Sequence, residues 1–414
     1  MDRFQHIALF IRSLGGGGGA ERVMVNLARG FSQRGHRVDL VLGKAEGPFL
    51  KEVPDSVRVV DLQARGGLAS VPALLRGLRD FSALAPVLAT MGVPPALRRL
   101  PALTHYLRRE GPTVMLSALP YGNITALLAV RLAGVRTVVV ISEHNTLSVS
   151  AQNAHRRKKR SLPRLERYFY PRADSIVAVS NGVAEDLAGV TGLPRERITT
   201  IYNPVVRPEL AELAQAPLGH PWFAPGAPPV LLGAGKLKPQ KDFATLLRAF
   251  AQVRATRPAR LVILGEGNAR AKMLGLARVL GVATDVDFPG FVGNPFAYMA
   301  RASVFVLSSV WEGFGNVLVE ALACGCPVVS TECPSGPAEI LDGGAYGPLV
   351  PVGDDAALAR AILSVLDAPP DPERLRTRAA LFSMDRAVEK YLGVLKEADG
   401  RVRAGGAPAQ SYTQ

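Results

Sequence analysis

Two lysines lie in a turn that is expected to join a buried strand to a helix. The stretch GAGKLKPQKDF places Lys236 and Lys241 five positions apart, after the apolar run 230–235 and before a helix-like run. Ammonium groups near a helix N-terminus are suited to binding a diphosphate. They could also neutralise the charge that develops when a diphosphate leaves. Exposed loop lysines that bind nothing are the alternative for this turn taken alone.

Two carboxylates follow in a single run further along the chain. The run WEGFGNVLVEALA contains Glu312 and Glu320, eight positions apart. A helix is predicted to begin near Asn316, so that Glu312 stays in the loop and Glu320 lies one turn into the helix. The amides of Gly315, Asn316 and Val317 are then free donors for phosphate or sugar oxygens. Since a carboxylate accepts two sugar hydroxyls, the pair predicts a sugar nucleotide as ligand.

Glycine-rich turns mark places where a backbone is expected to come close to a ligand or a neighbour. Gly235 ends one apolar run, and Gly265 and Gly267 follow the next. Five consecutive glycines at 15–19 precede a helix predicted over 20–34. Glycine in such loops costs backbone order, so we expect close approach to a ligand there, or a loop that orders on substrate binding.

Elements of two kinds alternate along the chain and position these residues. Short β-branched runs separated by helix-like stretches predict an α/β fold with parallel sheets. Strands are predicted at 7–11, 38–42, 57–62, 113–119, 137–142, 175–180, 198–203, 230–235, 260–265, 286–291, 304–309 and 327–331. The Pro-, Ala- and Gly-rich stretch 208–229 predicts a linker between two doubly wound domains. In such sheets ligands bind at the carboxyl ends of the strands.

The net positive charge of the chain lies entirely in its first half. Residues 1–207 contain 29 Lys and Arg against 15 Asp and Glu, whereas the remainder contains 20 of each, so the first half carries the whole net charge of +14. Such asymmetry fits a polyanionic partner, either anionic lipid, a phosphorylated substrate or nucleic acid, and it fits a merely soluble basic surface equally well. The run HRRKKR at 155–160 could bind lipid head groups, acceptor phosphate or RNA, and its alternative is a solvated basic face. The leucine-containing part of 65–111 fits an anionic membrane surface. A packed helix-turn-helix is the alternative for the leucines Leu97, Leu100, Leu103 and Leu107.

Composition excludes several protein classes. No apolar run reaches the roughly 18 to 20 residues that a membrane span needs, and the N-terminus has no small-residue cleavage site of a signal peptide. The three cysteines, Cys324, Cys326 and Cys333, fit reduced thiols in a cytoplasm. No His or fourth Cys stands near them at the spacing of a zinc site.

The combination of these motifs resembles a retaining glycosyltransferase of family 4, and the resemblance covers nearly the whole chain. Its most specific part is the Glu-x7-Glu spacing combined with the upstream basic turn. The motifs are GGAERVMVNLARGFSQRGHRV near the start, SEHNT at 142–146, AVSNGVAEDL at 178–187, IYNPV at 201–205, GAGKLKPQKDF, GEGNA, WEGFGNVLVEALACGCPVVST and CPSGPAEIL at 333–341. The resemblance implies a GT-B fold, in which two doubly wound Rossmann-like domains face a central cleft.

The resemblance also implies domain boundaries. An N-terminal acceptor-side domain would span 1–207, a linker 208–229, and a C-terminal nucleotide-sugar-binding domain 230–380. The segment 381–414 would form a C-terminal helix that packs back on the N-terminal domain, followed by a flexible tail.

Matching positions acquire expected roles from the family. Lys241 would bind the diphosphate, together with Lys236, which stands where most members carry Arg. Glu312 would lie by the transferred sugar and Glu320 would bind the ribose hydroxyls. His144 would contact the donor sugar or the reacting centre. The positions expected to line the nucleotide-sugar site are Gly18, Gly19, Gly235, Gly265, Gly267, Gly313, Phe314, Gly315, Asn316, Val317 and Glu320.

The expected mechanism is transfer with retention at the anomeric carbon. No carboxylate pair of glycosidase type is evident, so a front-face substitution is expected, in which the leaving diphosphate accepts the acceptor's proton. We expect neither a metal nor a cofactor.

The motifs SEHNT and STECPSGPAEIL are similar to bacterial members that use UDP-sugars to build surface or lipid-linked glycans. The expected donor is therefore a UDP-hexose or UDP-N-acetylhexosamine, and the expected acceptor is a glycan or a polyprenyl-diphosphate-linked glycan. The basic first half would bind the anionic inner face of the cytoplasmic membrane, as a cytoplasmic, peripheral protein. A nucleotide-sugar epimerase is the main alternative. A nucleic-acid-binding protein fits less well, because the chain lacks an aromatic-basic stacking face.

Overall fold

The computed structural model describes residues 6–15, 18–63, 83–85, 88, 93–152 and 161–405. The chain divides into two compact units, the first comprising Met1–Pro204 with Met384–Gln414 and the second Val205–Ser383. Each unit contains one parallel sheet with crossover helices. The predicted α/β class with two doubly wound, Rossmann-like units is therefore confirmed.

The sheet of the first unit has seven parallel strands in the order β3-β2-β1-β4-β5-β6-β7. Its central strands are buried along their whole length, as expected for apolar, β-branched runs covered by helices. The strands are β1 Ile7–Ile11, β2 Val38–Leu42, β3 Arg58–Asp61, β4 Val114–Ala118, β5 Val138–Glu143, β6 Ser175–Ala178 and β7 Ile198–Thr200. The helices described here are α1 Gly19–Gln33, α2 Leu100–Glu110, α3 Pro120–Ala133, α4 Leu147–Gln152, α5 Leu162–Phe169 and α6 Asn181–Thr191.

The sheet of the second unit has six parallel strands in the order β10-β9-β8-β11-β12-β13. The strands are β8 Val230–Ala234, β9 Arg260–Leu264, β10 Val286–Gly290, β11 Val304–Leu307, β12 Val328–Thr331 and β13 Leu349–Val350. The helices are α7 Leu210–Gln215, α8 Phe243–Thr256, α9 Arg270–Val279, α10 Phe296–Met299, α11 Asn316–Ala323, α12 Pro337–Ile340, α13 Asp355–Asp367 and α14 Pro372–Ala380.

The last helix, α15 Met384–Arg403, belongs to the first unit. It packs on α1, where a Cβ atom on Gly30 would lie 2.3 Å from Cγ2 of Val388. Glycine at this position therefore allows the two helices to approach closely. Tyr391 of α15 is fully buried in the core of this unit.

The stretch 208–229, expected to be a linker, contains α7 and a 3-10 turn at Pro221–Phe223 and lies within the second unit. The side-chain amide of Asn294 donates a hydrogen bond of 2.8 Å to the carbonyl of Leu213 in α7. The stretch is therefore a folded segment of the second unit and not a linker between the two units.

The four leucines considered for a membrane surface, Leu97, Leu100, Leu103 and Leu107, are fully buried. They pack inside the first unit, so the packed interpretation is correct for these residues. Most of 65–92 and the basic run 155–160 lie outside the described residues. No helix of the described ranges is long and apolar enough to cross a membrane. The three cysteines are buried free thiols.

Candidate active site

The second sheet reverses its strand order between β8 and β11, which are hydrogen-bonded neighbours. The loops that follow the strands on either side of such a reversal form the usual ligand crevice of a doubly wound sheet. The loop after β8 contains Lys236 and Lys241, and the loop after β11 contains Glu312. The topology thus brings residues that are distant in sequence to one edge of the sheet.

Lys241 and Glu312 form an ion pair at this edge. The distance between Nζ and Oε1 is 2.6 Å, and the two side chains are only 12% and 9% exposed. The hydroxyl of Ser309 donates to the same carboxylate oxygen at 2.6 Å, and the hydroxyl of Ser308 donates to the carbonyl of Lys241 at 2.8 Å. The lysine expected to bind a diphosphate is therefore held in place by the carboxylate expected to lie by the sugar.

Lys236 is placed differently from Lys241. It is exposed, and across the described ranges its ammonium group makes neither an ion pair nor a hydrogen bond. The turn therefore contains one cation that is fixed by a carboxylate and one that is accessible to solvent.

The loops after β8 and β9 contain glycines that pack backbone against backbone. The amide of Gly235 donates to the carbonyl of Leu264 at 2.9 Å. A Cβ atom on Gly265, whose φ is +125°, would lie 2.1 Å from the carbonyl oxygen of Gly235. A Cβ atom on Gly267 would lie 2.4 Å from the carbonyl oxygen of Leu237. The predicted close approach exists, and the neighbour in it is the protein's own backbone.

Helix α11 begins at Asn316, as predicted, and Gly315 is its N-cap with a φ of +98°. The N-cap glycine contributes no side-chain hydrogen bond, and the amides of Asn316 and Val317 belong to the first turn, which carries the positive end of the helix dipole. Glu320 lies one turn into this helix and is 8% exposed. The start of the helix and the position of Glu320 in it are therefore as predicted from the sequence.

The loop before α11 is fixed by the loop that contains the CPSGP motif. The amide of Glu312 donates to the carbonyl of Pro334 at 3.1 Å. A Cβ atom on Gly336 would lie 1.8 Å from the carbonyl oxygen of Phe314. Gly313 and Phe314 are buried, and the ring of Phe314 lies edge-on to Phe382 with centroids 5.4 Å apart. The backbone and ring of Phe314 are therefore packed against Gly336 and Phe382, which fixes the loop.

Gly18 and Gly19 lie in the first unit, in the loop between β1 and α1. Gly18 is the N-cap of α1 in an extended conformation, and Gly19 is its first residue. The first sheet reverses its order between β1 and β4, so this loop also lies at a reversal point. A Cβ atom on Gly18 would meet only the end of the Glu21 side chain, which can move. Gly16 and Gly17 lie outside the described residues.

His144 lies directly after β5 and is nearly buried, with 9% of its surface exposed. Its Nε2 atom is 3.0 Å from the hydroxyl of Ser142, which is 3.2 Å from the hydroxyl of Tyr391 in α15. Its backbone amide donates to Oε1 of Glu143 at 3.1 Å. Burial lowers the pKa of His144 to about 4, so the imidazole is neutral at physiological pH.

Glu143 faces a second buried network in the first unit. The hydroxyl of Tyr170 donates to Oε2 of Glu143 at 2.9 Å, and the side-chain amide of Asn123 donates to that hydroxyl at 3.0 Å. Burial raises the pKa of Glu143 to about 7. Burial, and then the charges of Glu143 and Asp186, raise the pKa of Glu166 well above its usual range.

Four residues around His144 were not singled out from the sequence. Ser142 and Glu143 belong to the SEHNT motif, and their alternation on β5 places them on opposite faces of the sheet. Tyr170 and Tyr391 carry no local signal, because their partners lie 27 and 249 positions away.

Comparison with known proteins agrees with this geometry. The family model "Glycosyltransferase Family 4" matches residues 17–207, and the model "Glycosyl transferases group 1" matches residues 228–368. Together they cover most of both units.

Two curated relatives and one solved structure illustrate the similarity. The chain is 34% identical over 59% of its length to the N-acetylgalactosamine-N,N'-diacetylbacillosaminyl-diphospho-undecaprenol 4-alpha-N-acetylgalactosaminyltransferase of Campylobacter jejuni. It is 33% identical over 55% of its length to the lipopolysaccharide core biosynthesis glycosyltransferase LpsE of Rhizobium meliloti. The matches span 64% and 65% of these relatives, which is less than two-thirds of their length. The Anabaena protein HepE, solved in complex with UDP-glucose, superimposes with a TM-score of 0.67 over 96% of this chain and 99% of its own, at 20% identity. This last likeness shows the fold alone.

Proposed function

The chain belongs to glycosyltransferase family 4 and has the GT-B fold, and from this premise we propose that it transfers a hexose or N-acetylhexosamine from a UDP-sugar to a lipid-linked glycan. The observation that carries the proposal is the edge of the second sheet at the β8/β11 reversal. There Lys241, Glu312 and the first turn of α11 lie on adjacent loops. A basic group, a carboxylate and the amides of a helix N-terminus together suit a sugar diphosphate.

The second unit binds the donor in this proposal. Glu320 accepts the two ribose hydroxyls, and the amides at the start of α11 bind sugar or phosphate oxygens. Lys236 and Lys241 bind the diphosphate. Glu312 accepts hydroxyls of the transferred sugar. Its ion pair with Lys241 places the bound sugar next to the lysine that binds the diphosphate. His144 of the first unit contacts the donor sugar or the reacting centre.

The reaction retains the anomeric configuration. The bond between the anomeric carbon and the diphosphate oxygen breaks on the face where the acceptor oxygen forms its new bond. The acceptor's proton passes to the leaving diphosphate, whose developing negative charge the two lysines stabilise. The cations of the protein supply this stabilisation, so we propose that the enzyme works without a metal.

Relatives support the substrate classes. The Campylobacter relative is named for an undecaprenol-diphosphate-linked acceptor, and the Rhizobium relative for lipopolysaccharide core biosynthesis. HepE binds UDP-glucose on the same fold. The net charge of +14 that the first 207 residues carry fits binding to an anionic membrane that presents such an acceptor. We therefore propose a peripheral protein at the inner face of the cytoplasmic membrane. Equal affinity for anionic and neutral vesicles at moderate salt would contradict this part.

The test is nucleotide release by the purified protein, offered UDP-, GDP- and ADP-sugars in the presence of a chelator, with and without detergent-solubilised lipid-linked glycans. Lys241→Ala and Glu320→Ala serve as inactive variants. Release from one UDP-sugar that rises with acceptor and is lost in both variants would support the proposal. Isomerisation of a UDP-sugar without nucleotide release would replace it with an epimerase, and release only from GDP- or ADP-sugars would overturn the donor assignment.

A further inference from the structure

A chain of hydrogen bonds connects the last helix of the protein to His144. The hydroxyl of Tyr391 lies 3.2 Å from the hydroxyl of Ser142, which lies 3.0 Å from Nε2 of His144. Tyr391 is fully buried and Ser142 is 1% exposed. All three residues belong to the first unit, so the hydrogen bonds between them lie within one compact unit.

The direction of these hydrogen bonds follows from the supply of acceptors. Burial raises the pKa of Tyr391 to about 12, so its hydroxyl keeps its proton. Among the residues that the structure describes, the oxygen of Ser142 is the one acceptor within hydrogen-bond distance of that hydroxyl. If the proton pointed elsewhere, a buried donor would be unsatisfied, at a cost of about 1–3 kcal/mol. Tyr391 therefore donates to Ser142.

The proton of Ser142 is then free to point at His144. A serine oxygen can accept two hydrogen bonds, but if Ser142 accepted from both Tyr391 and Nε2, its own buried proton would have no partner among the described residues. The proton of Ser142 therefore goes to Nε2, which is the unprotonated nitrogen of the neutral ring. The ring proton is then on Nδ1, which has no hydrogen-bond partner in the described part of the chain but is not one of its fully buried polar atoms, so this N–H is open to solvent or to a ligand. The backbone amide of the same residue donates to Glu143, so the main chain and the ring of His144 each have a fixed partner.

We infer that Tyr391 is a positioning residue that acts through Ser142 to hold His144 in the neutral tautomer with its proton on Nδ1. His144 then presents an N–H donor to a sugar or phosphate oxygen, and its lone pair on Nε2 is directed into the protein. The role in catalysis rests on the proposed transferase function, whereas the tautomer itself does not. His144 acts as a hydrogen-bond donor and not as a base, and a residue of the C-terminal helix determines this.

The test is nitrogen NMR of the full-length protein labelled with ¹⁵N-histidine. The signals of His144 among the six histidines are identified by their loss in His144→Asn. The expected spectrum has a protonated Nδ1 and an unprotonated Nε2, and this measurement needs neither substrate nor activity. A ring protonated on Nε2 would overturn the inference, whatever the transferase assay gives.

Tyr391→Phe provides the second arm. We expect it to shift the tautomer population toward protonated Nε2 and to lower kcat by roughly tenfold or more at an unchanged donor KM, since a wrong tautomer offers the substrate an acceptor. Tyr106→Phe is the matched control, because it removes a buried hydroxyl of the same unit that donates to Asp39. An unchanged tautomer in Tyr391→Phe would show that the tyrosine has no positioning role. A shifted tautomer in an enzyme with no transferase activity would contradict the proposed function and leave the tautomer assignment intact.

Discussion

Lys241 and Glu312, which are 71 positions apart in the sequence, form an ion pair of 2.6 Å on adjacent loops of the second sheet. Sequence motifs assigned one residue to a diphosphate and the other to a sugar. The ion pair links these two roles, because a sugar diphosphate bound here would meet a lysine whose position a carboxylate already fixes. Such preorganisation lowers the cost of orienting the cation at the moment of reaction.

Lys241→Met is expected to reduce both activity and stability. Removing one partner of a buried pair leaves an uncompensated charge on Glu312, which costs about 3–5 kcal/mol of unfolding free energy. Turnover of the donor should fall on the order of 100-fold or more, as for other losses of a group that stabilises developing charge. Denaturant unfolding and initial rates measure the two effects.

The double variant Lys241→Met/Glu312→Gln separates the two effects. Without a buried charge, most of the lost stability should return, whereas activity should stay low because the cation is still absent. The exposed Lys272→Met is the matched control and should behave like the wild type. A double variant as unstable as the single one would show that the pair does not stabilise the loops.

Glu320→Gln is expected to weaken nucleotide binding while the fold is kept. A charged acceptor contributes about 1.5–3 kcal/mol to a hydrogen bond, so the dissociation constant for UDP should rise roughly tenfold to 100-fold by calorimetry. The exposed Glu373→Gln of the same unit should leave it unchanged. Unaltered UDP affinity in Glu320→Gln would remove this residue from the nucleotide site.

Gly265→Ala is expected to displace the loops that support Lys241. Its φ of +125° disfavours any side chain, and the new Cβ would lie 2.1 Å from the carbonyl oxygen of Gly235. We expect a loss of roughly 2 kcal/mol or more of unfolding free energy and a marked loss of activity. Gly275→Ala in α9 is the matched control, because nothing lies within 4 Å of its new Cβ, and it should stabilise the helix slightly. Equal stability of the two variants would contradict the close packing of the loops.

Sequence patterns predicted the fold well because strands buried on both faces are recognisable as short apolar, β-branched runs. All twelve predicted strands correspond to β1–β12, whereas β13 has only two residues, Leu349 and Val350, too few to show a period. The position of Glu320, one turn into a helix that begins at Asn316, was predicted correctly, because it depends only on where that one helix starts.

The ion pair between Lys241 and Glu312 and the contact of Tyr391 with Ser142 could not be predicted in the same way. Both depend on which loops and helices the topology brings together, over separations of 71 and 249 positions. Gly265 and Gly267 were predicted from the sequence to lie where the backbone comes close to another group. The sequence could not show that this group is the protein's own backbone, at Gly235 and Leu237.

The buried carboxyls Glu143 and Glu166 make the stability of the protein depend on pH. Burial raises the pKa of Glu143 to about 7, and burial and neighbouring charges raise that of Glu166. Between the unfolded value near 4.5 and these raised values, the folded state binds more protons than the unfolded state. The contribution of these two carboxyls to stability therefore falls as pH rises from about 4.5 through 7. The buried His144, whose pKa is lowered to about 4, contributes in the opposite direction below pH 6.5. Because two raised carboxyls oppose one lowered imidazole, the wild type should melt at a lower temperature at pH 8 than at pH 5.5.

Glu166→Gln is the variant that tests this dependence, because glutamine has the shape of the protonated carboxyl and does not ionise. Both Glu166 oxygens are buried without a hydrogen-bond partner in the described part of the chain, so the substitution breaks no contact. The variant should melt at least about 3 °C above the wild type at pH 8, because it removes the charge of Glu166 and the repulsion between that charge and Glu143. At pH 5.5, below the raised pKa values of both carboxyls, the two proteins should melt at nearly the same temperature. The exposed Glu185→Gln on α6 should follow the wild type at both pH values. A Glu166→Gln curve parallel to that of the wild type would show that these carboxyls do not set the pH dependence.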